Sequence, residues 1–111
     1  MPDVMTDRRT SPRFPLIVLA QVTTLPAGTE LQARTSDVSR SGCYIDTLHP
    51  LPKGSQVLIR LSQKGEIFEA EATVMYVSPG LGMGVQFADS IPRFQMEILD
   101  RWLAPLGGGT H

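Results

Sequence analysis

From residue 66 to residue 77 apolar side chains recur at every second position, as Phe68, Ala70, Ala72, Val74 and Tyr76. That is the two-residue period of a long strand with one face on a core. Val57, Ile59 and Leu61 alternate in the same way ahead of it, and Gln63, Lys64 and Gly65 between the two runs predict a hairpin turn. Nearer the N-terminus, Leu16 to Thr24 forms a β-branched and apolar run ended by Pro26, Ala27 and Gly28; residues 30–37 resume as a second strand, and Cys43 to Thr47 make a short third. Pro50, Pro52, Lys53 and Gly54 punctuate the chain before the fourth strand, and Ser78, Pro79 and Gly80 turn it into Met83 to Phe87, the sixth. Only the last segment changes period. Ile91, Phe94, Ile98 and Trp102, with Leu99 and Leu103 beside them, follow helical spacing; Asp89 or Ser90 is placed to cap the start, and Phe94 and Trp102 are expected in the core. Six short strands and one terminal amphipathic helix predict an all-β domain, a six-stranded antiparallel (split) β-barrel with one C-terminal α-helix.

The 111 residues suffice for one domain. Residues 1–13 lack apolar periodicity and read as a flexible arm, residues 14–104 as the barrel with its helix, and residues 105–111, with Gly107, Gly108 and Gly109, as a disordered tail. Net charge is −1, so no overall field would hold the molecule on a nucleic acid or an anionic membrane, and any anion site must be local. Arg8, Arg9 and Arg13 cluster in the arm, and a guanidinium fork grips phosphates and guanine edges bidentately where an ammonium acts as a point charge. Cys43 is the only cysteine, which excludes an intrachain disulfide and fits a reducing, cytoplasmic setting. Together with the scattered His49 and His111 it offers no metal site. Arg8 and Arg9 ahead of the run Phe14 to Val22 are superficially like an export signal. Pro15 breaks that run, and it falls well short of the roughly 20 residues that span a bilayer, so no membrane insertion is expected.

Arg9 to Arg13 has Arg-x-x-x-Arg spacing just ahead of the first strand, and Asp37 to Gly42 reads Asp-x-Ser-x-x-Gly. Taken singly, the first also describes solvated surface charges and the second an ordinary inter-strand turn with its glycine at positive φ. In combination, and with Gly82, Met83, Gly84, Val85, Gln86 and Phe87 ahead of the helix, they resemble the PilZ family throughout residues 8–104. The resemblance implies that the arm and the turn jointly hold cyclic di-GMP, with Arg9 and Arg13 at the two motif arginines and Asp37, Ser39 and Gly42 at the three turn positions. It further implies two ligands per chain, since the residue before the motif is Arg8 and not a bulky apolar side chain. A receptor of this kind does no chemistry on its ligand and relays to an effector protein, here unidentified.

The residue types suit such a ligand. Guanine O6 and N7 accept from a bidentate arginine, whereas Asp37 can accept from guanine N1 and N2 hydrogens but would repel a phosphate. Ser39 adds a short hydroxyl, and Gly42 permits close backbone approach. Tyr76 has the chemistry to stack on a base, but its shared parity with Val74 favours a place in the core. No serine, histidine and acid grouping and no phosphate-cradling loop points to an enzyme. The alternatives are a PilZ-like protein-interaction module with weak or no nucleotide binding, and an oligonucleotide-binding barrel. The acidic balance and the lack of aromatics interleaved with basic residues weigh against the last, so neither DNA nor RNA is an expected partner.

Overall fold

The structure is a computed structural model and describes residues 11–107. Its elements are β1 (Phe14–Pro15), β2 (Leu19–Thr24), β3 (Glu30–Val38), β4 (Gly42–Asp46), β5 (Gln56–Gln63), β6 (Glu66–Ser78), β7 (Gly82–Phe87) and α1 (Arg93–Leu103). All pairings are antiparallel, and the order runs β3, β2, β5, β6, β7, β4, with β4 pairing back onto β3. This is the expected six-stranded barrel with one C-terminal helix, and it is closed, which removes the free strand edges an open sheet would expose. β5 and β6 are joined through Lys64 and Gly65, both at positive φ (51° and 82°), the backbone of a tight hairpin whose twist matches its strands.

The first expected strand is interrupted. β1 pairs with the end of β3 and β2 with its beginning, while Leu16 to Val18 leave the ladder between them. The fully buried Thr35 takes up the backbone groups released there: its Oγ1 accepts from the Val18 N–H at 3.0 Å and donates to the Leu16 carbonyl at 2.6 Å. Its own N–H donates to the Val18 carbonyl at 3.0 Å. A hydroxyl in the core is tolerable only when satisfied in this way, and it fixes where the chain leading from the arm joins the barrel.

Inward-facing residues fill the barrel. Val57, Ile59 and Leu61 from β5 meet Phe68, Ala70, Ala72 and Val74 from β6, and the Phe68 and Phe87 rings pack with centroids 5.1 Å apart. β6 extends past the end of β7. On that stretch the Ala88 N–H donates to the Glu71 carbonyl at 2.8 Å, and the Gln95 side chain accepts from the Glu69 N–H at 2.9 Å. Helix α1 buries Leu99, Trp102 and Leu103 against the core. Glu66, at the start of β6, accepts from the Trp102 indole at 3.0 Å and pairs with Arg101.

Two details of the helix differ from expectation. Neither Asp89 nor Ser90 caps it; Pro92 occupies the N-cap with no side-chain cap bond, and the Gln95 and Met96 N–H groups donate to the Pro92 carbonyl. Phe94 is 61% exposed rather than in the core. At 100° per residue it lies about 140° around the helix from the buried Leu99, and the polar Gln95 turns toward the barrel instead. The tail expected from residue 105 opens with a 3-10 turn, Ala104–Leu106, closed by Gly107 at φ 95°. Residues 108–111 lie outside the described residues.

Candidate functional site

The hairpin joining β3 to β4 carries the Asp-x-Ser-x-x-Gly segment. Ser39 is buried and organises it: its N–H donates to the Gly42 carbonyl at 2.8 Å, and its Oγ accepts from the N–H groups of Ser41 (3.1 Å) and Gly42 (3.2 Å). Gly42 is not at positive φ. It is required by close approach to β7, because a Cβ there would fall on the Val85 carbonyl oxygen and within 3.2 Å of the Gln86 Cα. The glycine therefore lets β4 lie flush against β7 just beyond the turn, without the positive φ that an ordinary inter-strand turn would give it.

Asp37 is the next-to-last residue of β3, just ahead of this hairpin, opposite Pro15 of β1. That pairing delivers the end of the arm: the Arg13 guanidinium donates to Asp37 Oδ1 at 3.0 Å, across 24 residues of sequence. Partial burial works against the arginine's charge, but Tyr76 and Asp37 beside it outweigh that effect and raise its pKa. The contact leaves further guanidinium N–H donors for another acceptor. Behind the pair lies Cys43, fully buried; burial pushes the thiol pKa up, and the Asp37 charge adds to the effect, so it stays protonated and inert.

Tyr76 is where the strand pattern misleads. The β6–β7 register shifts between Val74, opposite Val85, and Tyr76, opposite Gly84, so that Met75 is an extra residue in a β-bulge. The bulge resets the alternation. Tyr76 is 43% exposed, its ring resting on Gly84, where a Cβ would collide with the ring and sit 2.7 Å from the hydroxyl oxygen. Tyr44 lies beside it, centroids 6.1 Å apart and planes inclined at 33°. The expected core position for Tyr76 is thus overturned.

These elements surround one open cavity of about 640 Å³, within the rough 300–1,000 Å³ range of small-molecule sites. The arm contributes Ser11, Pro12 and Arg13; the hairpin Ser39, Ser41 and Gly42; β6 Met75 and Tyr76; β7 Gly84, Val85 and Gln86. Of the sequence candidates, Arg13, Asp37, Ser39 and Gly42 are brought together, while Arg8 and Arg9 lie outside the described residues. Met75, Ser41 and Gln86 were not among those candidates, and Tyr76, whose ring could stack on a base, was expected in the core. The small residue Gly84 facing an aromatic was the one local sign, since glycines in strands often sit under a cross-strand ring. Arg40, in the middle of the hairpin, points away and forks onto Asp100 of α1 at 2.8 and 3.4 Å, tying the turn to the helix.

Several solved structures share this fold. The PilZ domain of CeSA from a cellulose-synthesizing bacterium superposes with a TM-score of 0.68 at 22% identity, covering 87% of this chain and 99% of that one. The PilZ domain of YcgR from Escherichia coli with c-di-GMP gives 0.72 at 20% identity, covering 90% and 92%. The Bacillus subtilis inhibitor of motility MotI/DgrA gives 0.73 at 14% identity, covering 90% of this chain and 51% of that protein, about half its length. Comparison with curated proteins finds no match. The sequence profile of the PilZ domain matches residues 7–104, from the arm to the end of the helix, and on that match this chain belongs to the PilZ domain family.

Proposed function

We propose that the chain is a non-enzymatic cytoplasmic receptor that binds cyclic di-GMP in this cavity and relays its occupancy to a partner protein. The observation that carries the reading is the meeting of Arg13 and Asp37 at 3.0 Å beside the Ser39–Gly42 hairpin. A donor fork next to a carboxylate suits a ligand with both acceptor and donor edges, as guanine has and a plain polyanion has not. The YcgR PilZ domain, similar in fold, is described with c-di-GMP. Ser39 holds the hairpin in shape, leaving Ser41 and backbone groups to face the ligand. Arg9 supplies the second motif arginine, and Arg8 a third guanidinium that offsets the charge of a second ligand. The stoichiometry proposed is therefore two per chain. Residues 1–13 act as the ligand-binding arm on a barrel and helix spanning residues 14–104.

Calorimetric titration with cyclic di-GMP, beside a short single-stranded oligonucleotide, tests the proposal. Saturable binding of the dinucleotide alone is expected, with Arg13→Ala and Asp37→Ala each weakening it roughly five- to 150-fold, as loss of a good base-edge contact does. Arg8→Leu should move the stoichiometry from two toward one. A folded protein that binds no cyclic di-GMP overturns the receptor reading in favour of an interaction module, and unchanged affinity in both alanine variants overturns the site.

A further inference from the structure

We propose that Tyr76 is the base-stacking residue of this cavity, selecting a planar purine by contact with its face while Arg13 and Asp37 read an edge; the inference rests on the cyclic di-GMP reading above. Three observations converge on it. The Met75 bulge spends an extra residue in an otherwise regular strand, and its effect is to turn a large aromatic out of the core and into the cavity wall. Bulges commonly re-aim a side chain in this way beside a binding site. Gly84 then supplies a flat backbone on which the ring rests, and Tyr44 lies alongside, so the ring has little freedom to lose on binding. Finally, Tyr76 and Arg13 line the same cavity, and the Arg13 guanidinium is bound to Asp37. A base whose edge meets that pair can therefore present its face to the ring.

The competing explanation is structural: the ring merely covers the bare backbone at Gly84. Size and apolarity would satisfy that role, whereas stacking requires a π-face. Tyr76→Phe and Tyr76→Leu separate the two. Titrated with cyclic di-GMP, the Phe variant should bind close to the unmodified protein. The Leu variant should lose roughly five- to 150-fold, the range for removing one base–aromatic stack. In the unmodified protein, the guanine H8 resonance of bound ligand should move upfield by ring current and show cross-relaxation with the Tyr76 ring protons; the shift should vanish in the Leu variant. The spectrum of the unmodified protein alone decides the matter if the Leu variant fails to fold. Equal affinity of the Phe and Leu variants, or no Tyr76 contact to guanine while Arg13→Ala still weakens binding, overturns the stacking role and leaves the receptor reading standing. Absence of any binding by the unmodified protein overturns both.

Discussion

In β6 the stretch from Phe68 to Val74 and the stretch Met75–Tyr76 beyond it continue one every-second-position apolar pattern, yet the first is core and the second is cavity wall. In the first, each inward position is sealed between β5 and the rest of the barrel, and Phe68 is completely buried. In the second, one added residue, Met75, leaves both itself and Tyr76 on the surface, 40% and 43% exposed. Burial in the first half holds the domain together. Exposure in the second makes a surface on which a ligand can settle, since the ring is already stripped of freedom by Gly84 and Tyr44. Core and cavity wall thus occupy one strand and are separated by a single bulge.

The hardest test of that division is Phe68→Ala. Emptying this core position should lower the unfolding free energy by about 3–5 kcal/mol in denaturant titrations, with ligand affinity of the folded fraction unchanged. An affinity loss matching that of Arg13→Ala would break the separation.

Deletion of Met75 comes next. It restores a regular ladder that still sets Tyr76 opposite Gly84 and Val77 opposite Met83. The barrel should therefore keep its fold with a change in unfolding free energy of no more than about 1 kcal/mol. Proton exchange showing loss of protection at β7 would mean that the bulge is needed to close the barrel.

The smallest effect is expected at the first residue of the strand. Hydrogen bonds from Arg101 and then Trp102 hold the Glu66 carboxyl below its ordinary pKa of 4.5. A carboxyl depressed on folding adds stability that is present above its unfolded pKa and lost as pH falls through the folded one. The stability difference between the unmodified protein and Glu66→Gln should accordingly be constant above about pH 5 and shrink below that. It should stay small and diminish with salt, as exposed pairs do. A difference independent of pH would show that the carboxylate charge does not hold the helix to β6.

Much of this molecule follows from sequence alone. Two-residue periods at Val57–Leu61 and Phe68–Val74, the Lys64–Gly65 turn and the helical spacing of Leu99, Trp102 and Leu103 depend on local geometry, and local geometry is written in neighbouring residue types. The Arg-x-x-x-Arg and Asp-x-Ser-x-x-Gly spacings likewise marked Arg13, Ser39 and Gly42, which line one cavity, and Asp37, which is bound to Arg13. What tertiary structure decided were the contacts between distant segments. Thr35 breaks the first strand because its hydroxyl meets Leu16 and Val18 from across the barrel. Gly42 is a glycine on account of Val85, 43 positions along the sequence (85 − 42), and not of its own φ. Gln95 displaces Phe94 from the core side of the helix because a β6 backbone N–H beyond the end of β7 needs an acceptor. Tyr76 faces solvent because the β6–β7 register slips by one residue at Met75, and register is a property of two strands, which the alternation within one of them cannot reveal.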